Sequence, residues 1–123
     1  MKILVLCAYG RNRSRYVANY LSEKGYDTDF DGVLNGDSDI VQKKINDADV
    51  LITVSQKVHD HLVKQFNFKG KRVIEIDVED RPEFVLPACK PLSGDDWVSF
   101  QEQCVYPDLI DQLNKFLPIT ENQ

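Results

Sequence analysis

Residues 2 to 7 read Lys-Ile-Leu-Val-Leu-Cys, a nearly continuous run of β-favouring apolar side chains. A strand without polar alternation is buried on both faces, which is the situation of a central strand in a parallel sheet covered by helices. The pattern then changes period. Val17, Ala18 and Leu21 recur at helical spacing, with Ser14 placed to cap the first turn and Gly25 to end the helix. Strand, loop, helix is the expected opening.

The same alternation continues along the chain. Thr28 to Val33 is a weak, Asp-interrupted strand suited to a sheet edge, where charge discourages pairing with other chains. Asp39 to Asp47 carries Ile40, Val41 and Ile45 on one helical stripe, and Val50 to Val54 is a second buried strand. From Ser55, Val58, Leu62 and Phe66 fall at successive i+4 positions in a helix that ends before Gly70, and Arg72 to Ile76 is the last clear strand. These elements predict a three-layer α/β/α fold: an open four-stranded parallel sheet of order 2-1-3-4 with right-handed crossovers. Residues 81 to 106, with Pro82, Pro87, Pro91 and Gly94, are less regular; a short helix is expected around Asp95 to Cys104, and Leu109, Leu113 and Phe116 mark a C-terminal helix. With 123 residues, 42% of them hydrophobic, residues 1–123 are read as a single domain around one core.

Charge and cysteine usage narrow the function. A net charge of -5 argues against a nonspecific nucleic-acid or anionic-membrane binder, so any basic site must be local. The apolar run from Ile3 to Ala8 is too short to span a membrane and lacks the features of a cleavable signal, so a cytoplasmic protein is expected, with no membrane partner. Cys7, Cys89 and Cys104 are odd in number and widely spaced, which favours reduced thiols over disulfides or a zinc knuckle.

The residues that carry chemistry are Cys7-Ala8-Tyr9-Gly10-Arg11-Asn12-Arg13-Ser14, a cysteine followed after five residues by Arg-Ser, set between the first strand and the first helix. A loop of that length can curl so that the amides of Ala8, Tyr9, Gly10, Arg11, Asn12 and Arg13 point inward and add to the positive end of the helix dipole, forming a cradle for a dianion. Arg13 can close the cradle with two parallel hydrogen bonds to phosphate oxygens. A cysteine at a helix N-terminus beside a cation favours the thiolate, which makes Cys7 a nucleophile, and the Ser14 hydroxyl is placed to hydrogen-bond it. The substrate this predicts is a phosphate monoester, on a protein or as a small aryl phosphate. Its leaving group needs a proton, and Ile76-Asp77-Val78-Glu79-Asp80 offers three carboxylates at the correct sheet edge; Asp80 is favoured as the acid, with Asp77 as competitor and candidate loop anchor. No cofactor and no metal are expected. A nucleotide-binding loop is disfavoured because G-x-x-x-x-G-K-[ST] is absent.

Through Cys7 to Ser14, the helix after them and Asp77-Val78-Glu79-Asp80, the chain resembles the low-molecular-weight protein tyrosine phosphatases, and more distantly the RNA polymerase C-terminal-domain phosphatases. The likeness covers roughly residues 1 to 80, with a weaker echo in Tyr106-Pro107-Asp108-Leu109. It implies a cysteinyl-phosphate intermediate, with Cys7 as nucleophile, Arg13 as phosphate clamp, Ser14 as thiolate partner and Asp80 as general acid. Two departures stand out. At the fourth loop position the family usually has an Asn whose side chain helps hold the loop, and here that residue is Gly10. The acid loop lacks the Asp-Pro-Tyr wording of the larger enzymes, so an aromatic substrate wall must come from Tyr9, Phe84 or Trp97.

Other readings stay beside this one. Arsenate reductases use the same loop with two further cysteines, so Cys89 and Cys104 are either a disulfide relay or structural thiols. A non-catalytic phosphate-binding module is a third class. Arg11 and Arg15 either steer anionic substrate or are solvated charges. His59 and His61, two apart on a helix, make a poor metal pair and read as surface residues. Asp37, Asp39, Asp95 and Asp96 read as caps or solvated turns, and residues 81 to 106 are long enough to form a lid over the loop.

Overall fold

The computed structural model describes residues 1–10, 12–34, 37–78 and 101–120. Four strands, β1 (Lys2–Cys7), β2 (Asp27–Gly32), β3 (Val50–Thr53) and β4 (Arg72–Glu75), form a sheet of order β2-β1-β3-β4 in which every pair is parallel. The order and direction are those the sequence pattern predicts. Registers are continuous: Lys2 lies opposite Asp27 and Cys7 opposite Gly32, while Ile3 to Leu6 pair with Val50 to Thr53.

Burial explains the strand sequences. Ile3, Leu4, Val5 and Leu6 are all buried, as are Val50, Leu51 and Ile52, because both central strands are covered on two faces. Each such side chain contributes about 1.5–3 kcal/mol relative to exposure. The edge strand β2 is different. Its Asp27 is exposed and only its end, at Asp31 and Gly32, is buried. Lys44 sits over this edge, 3.1 Å from Asp31 and 3.7 Å from Asp29.

The helices are α1 (Arg13–Glu23), α2 (Ser38–Asp47), α3 (Gln56–Gln65) and, after a π-helical turn at Gln101–Val105, α4 (Tyr106–Asn114). Helix α1 packs on β1 and β2, α3 on β3, and α4 on α1. With the right-handed crossovers of parallel βαβ units, α1 lies on one face of the sheet and α2 and α3 on the other; α4 shares the layer of α1. Gly25, with φ of 95°, closes α1: its N–H bonds Ser22 O and the Tyr26 N–H reaches back to Leu21 O.

Two local expectations change. Helix α1 starts at Arg13 rather than Ser14, and the Ser14 hydroxyl does not cap it because that oxygen faces the Cys7 sulfur. Phe66 lies just past α3 in extended backbone, φ -129° and ψ 153°, yet is still buried, so the apolar i+4 series outlasts the helix that it predicts. Phe116 likewise falls beyond α4. No described helix is long and apolar enough to cross a membrane.

Candidate active site

The carboxyl ends of β1 and β3 are where the chain diverges in opposite directions, towards α1 and α3, and such switch points form crevices in open α/β sheets. Cys7 ends β1 at that point. Pairing with the edge strand continues two residues into the loop, since Val33 N–H donates to Cys7 O at 2.9 Å and Leu34 N–H to Ala8 O at 2.8 Å. The chain then turns through Gly10, whose φ of 71° favours glycine, and the Gly10 N–H comes back to the Cys7 Sγ at 3.0 Å.

That turn is pressed against β2. A Cβ on Gly10 would lie 2.7 Å from Gly32 N, and one on Gly32 would lie 2.3 Å from the Tyr9 carbonyl carbon. Two backbones meet here with no room for a side chain on either. The sequence reading singled out Gly10 but missed Gly32; a glycine ending a weak strand was the available signal.

Two groups meet on the sulfur. Besides Gly10 N–H, the buried Ser14 Oγ lies 3.0 Å from Sγ. Cys7 itself keeps 4% of its surface exposed, so the sulfur lies below the protein surface and not on it. Arg13, the first residue of α1 and 9% exposed, donates from a guanidinium nitrogen to Val78 O at 2.7 Å. This bond reaches across β3 to the extension of β4, where Ile76 N–H and Val78 N–H continue the ladder to Thr53 O and Val54 O. The guanidinium is thus fixed between the loop and the segment leading to the predicted acid.

Asp77 is an anchor. Its carboxylate accepts from Gln56 N–H, the first residue of α3, at 3.2 Å, while its own N–H and C=O bond the Gln112 side chain at 2.8 Å each. It ties β4 to α3 and α4. Asp80, the favoured acid, lies outside the described residues, as do Arg11, Phe84, Cys89, Asp95, Asp96 and Trp97 and most of the expected lid. Tyr9 is described: at the third loop position it is 62% exposed.

Asn12 connects the loop to the far end of the chain. It is the N-cap residue of α1, yet its side chain makes no capping bond. Its Nδ2 donates to Gln101 Oε1 at 2.6 Å and its Oδ1 accepts from the Tyr106 hydroxyl. The Tyr106 ring stacks on Tyr16 of α1, with centroids 3.9 Å apart and planes 5° from parallel. Burial, and after it the neighbouring Tyr16 and Glu102, push the Tyr106 phenol above its ordinary range, with Arg15 opposing. Nothing local in the sequence marks these contacts, which span 89 and 94 residues. Beyond the stack, Tyr16, Glu102, Tyr106, Pro107, Ile110 and Asp111 line a groove of about 500 Å³ that includes no loop residue.

The remaining candidates fall apart from the loop. Asp37 caps α2, accepting from Asp39 and Ile40 N–H at 3.1 Å each. His59 and His61 are part-buried, which corrects the surface expectation, and His59 Nε2 lies 3.5 Å from Glu75 Oε1. Cys104 is part-buried and packed against the core.

No protein-family model matches this sequence, and no curated protein does. Among solved structures the chain is similar to the solution structure of a low molecular weight protein tyrosine phosphatase from Bacillus subtilis, with a TM-score of 0.48 and 15% sequence identity over 94% of this chain and 98% of that one.

Proposed function

We propose that this protein is a cysteine-dependent phosphomonoester hydrolase acting in the cytoplasm on phosphotyrosine-like substrates. The observation that carries the reading is the pair of contacts on one sulfur: Gly10 N–H and Ser14 Oγ each lie 3.0 Å from Cys7 Sγ, at the end of a central parallel strand and the start of α1. The two contacts hold the sulfur in one place for in-line attack, and the helix N-terminus favours a bound dianion.

In the proposed reaction the Cys7 thiolate attacks phosphorus and the phosphorus–oxygen bond to the leaving group breaks. Asp80 delivers a proton to the departing oxygen. Charge on the equatorial oxygens is met by loop amides and Arg13. Water then attacks the cysteinyl phosphate with Asp80, now ionised, taking its proton; the thiolate leaves, eased by Ser14, and inorganic phosphate is released. Asp77, with its carboxylate on the α3 amide, is assigned to bracing the acid loop. Exposed Tyr9 is assigned to the aryl group of the substrate.

The test is turnover of p-nitrophenyl phosphate in the presence of EDTA. The wild type is expected to be active and vanadate-inhibited, and to yield a phosphocysteine adduct under rapid acid quench. Cys7→Ser is expected to be inactive, and Asp80→Asn to lose roughly 10²–10⁴ in kcat, while Asp77→Asn loses stability and little rate. Turnover that survives Cys7→Ser would reject the reading.

A further inference from the structure

Three of the four described helices follow strands of this sheet, and their first turns are treated differently. Helix α2 is capped by Asp37, and α3 by Ser55, whose Oγ accepts from Val58 N–H at 3.3 Å, as well as by Asp77. Helix α1 starts on Asn12, one of the best capping residues, and goes uncapped by it. The reason is visible in the contacts. Both polar atoms of the Asn12 amide are engaged away from the helix, one by Gln101 and the other by Tyr106.

The partners of Asn12 are themselves held in place. Gln101 is 1% exposed and uses its Oε1 for Asn12, while its buried Nε2 has no partner among the described residues. Tyr106 is fixed as a lever for the same purpose, its ring held against Tyr16 so that its hydroxyl reaches the loop.

We propose that Tyr106 and Gln101 are positioning residues that hold the Asn12 side chain off the N-terminus of α1, keeping the first-turn amides open for the substrate's phosphate. Left to itself, the Asn12 carboxamide would fold onto the amides of Ser14 or Arg15, next to the Arg13 amide that ends the cradle, and would set a carbonyl oxygen against an incoming anion. The inference rests on the hydrolase reading for its substrate. It concerns oxyanion binding, however, and can be measured without turnover.

The experiment is the dissociation constant for orthovanadate and for inorganic phosphate, with thermal midpoints beside them, in four proteins: wild type, Tyr106→Phe, Asn12→Ala and the double variant. Tyr106→Phe keeps the ring stack and removes only the hydroxyl. It is expected to weaken oxyanion binding roughly tenfold with an unchanged or raised midpoint, since a cap is gained as the tether is lost. In the Asn12→Ala background the same change should have no effect, because no side chain remains to intrude. Equal affinity in wild type and Tyr106→Phe overturns the proposal, as does a tenfold loss that persists in the Asn12→Ala background. If Tyr106→Phe does not fold, Gln101→Leu makes the same release from the other side and is read by the same comparison. A wild type that binds vanadate yet hydrolyses no aryl phosphate removes the hydrolase reading and leaves the binding ratios to decide this one. A wild type that binds neither anion removes both.

Discussion

Helices α1 and α3 both follow strands of the sheet core and start at the same edge, yet one start is closed and the other open. At α3 the chain supplies its own anion: Asp77 and Ser55 occupy the first-turn N–H groups of Gln56 and Val58. At α1 no side-chain oxygen takes that role from the cap position, and the loop before it turns through Gly10 towards the Cys7 sulfur. A helix end satisfied by its own protein stabilises the fold. One not capped by its own protein stays available to an anion at some expense of stability, so the two starts put the same backbone feature to different uses.

The largest expected effect follows from how the open end is shaped. Gly32→Ala places a methyl group 2.3 to 2.6 Å from Tyr9 C, Tyr9 Cα and Gly10 N, all backbone atoms that no rotamer can move aside. The loop must lift from β2. Overpacking of this kind costs about 1–3 kcal/mol, and a displacement of about 1 Å at the reacting groups lowers rate on the order of 10²-fold. Urea unfolding together with aryl phosphate turnover measures both. A variant with native stability and native rate would show that the close approach of the two glycines does not set the loop.

The closed end should answer differently. Ser55→Ala removes one cap of α3 and is expected to cost about 1 kcal/mol in urea unfolding while leaving vanadate affinity and kcat unchanged. A parallel fall in vanadate affinity would mean that the two helix starts are not independent, and the contrast drawn between them would fail.

Much of this frame was legible in the residues. Lys2 to Cys7 read as the best candidate for a strand buried on both sides, and the cysteine-to-arginine spacing placed a loop where β1 meets α1. What local pattern could not reveal is what holds that loop. The resemblance to tyrosine phosphatases implies a loop-bracing Asn at the fourth position; here Gly10 occupies it, and Asn12 two residues on makes the bracing contacts. Its partners are 89 and 94 residues away, and Gly32, 22 positions from Gly10, contributes by lacking a side chain. Periodicity reports which face is apolar and says nothing about polar groups that meet only after the sheet has formed. Ser14 shows the same limit in small: read as a cap from its place in the sequence, it is instead turned inward to Cys7.

The smallest effect tests the tether through its proton. The Tyr106 phenol, pushed upward first by burial and then by Tyr16 and Glu102, holds its proton more tightly in the folded protein than in the unfolded chain. Below the unfolded value of about 10 both states are protonated and the full contribution is present; as pH rises through and above it the unfolded chain loses the proton first and stability falls. Deprotonation also removes the only hydrogen that the phenol can donate to Asn12 Oδ1, leaving two oxygens facing each other. Urea midpoints of wild type and Tyr106→Phe between about pH 8 and pH 11 should therefore separate as the pH rises, the wild type falling more steeply, because the two proteins share every other ionisable group. Parallel curves would mean that the Tyr106 hydroxyl carries no proton-linked contact in the folded state, and the open end of α1 would have to be maintained without it.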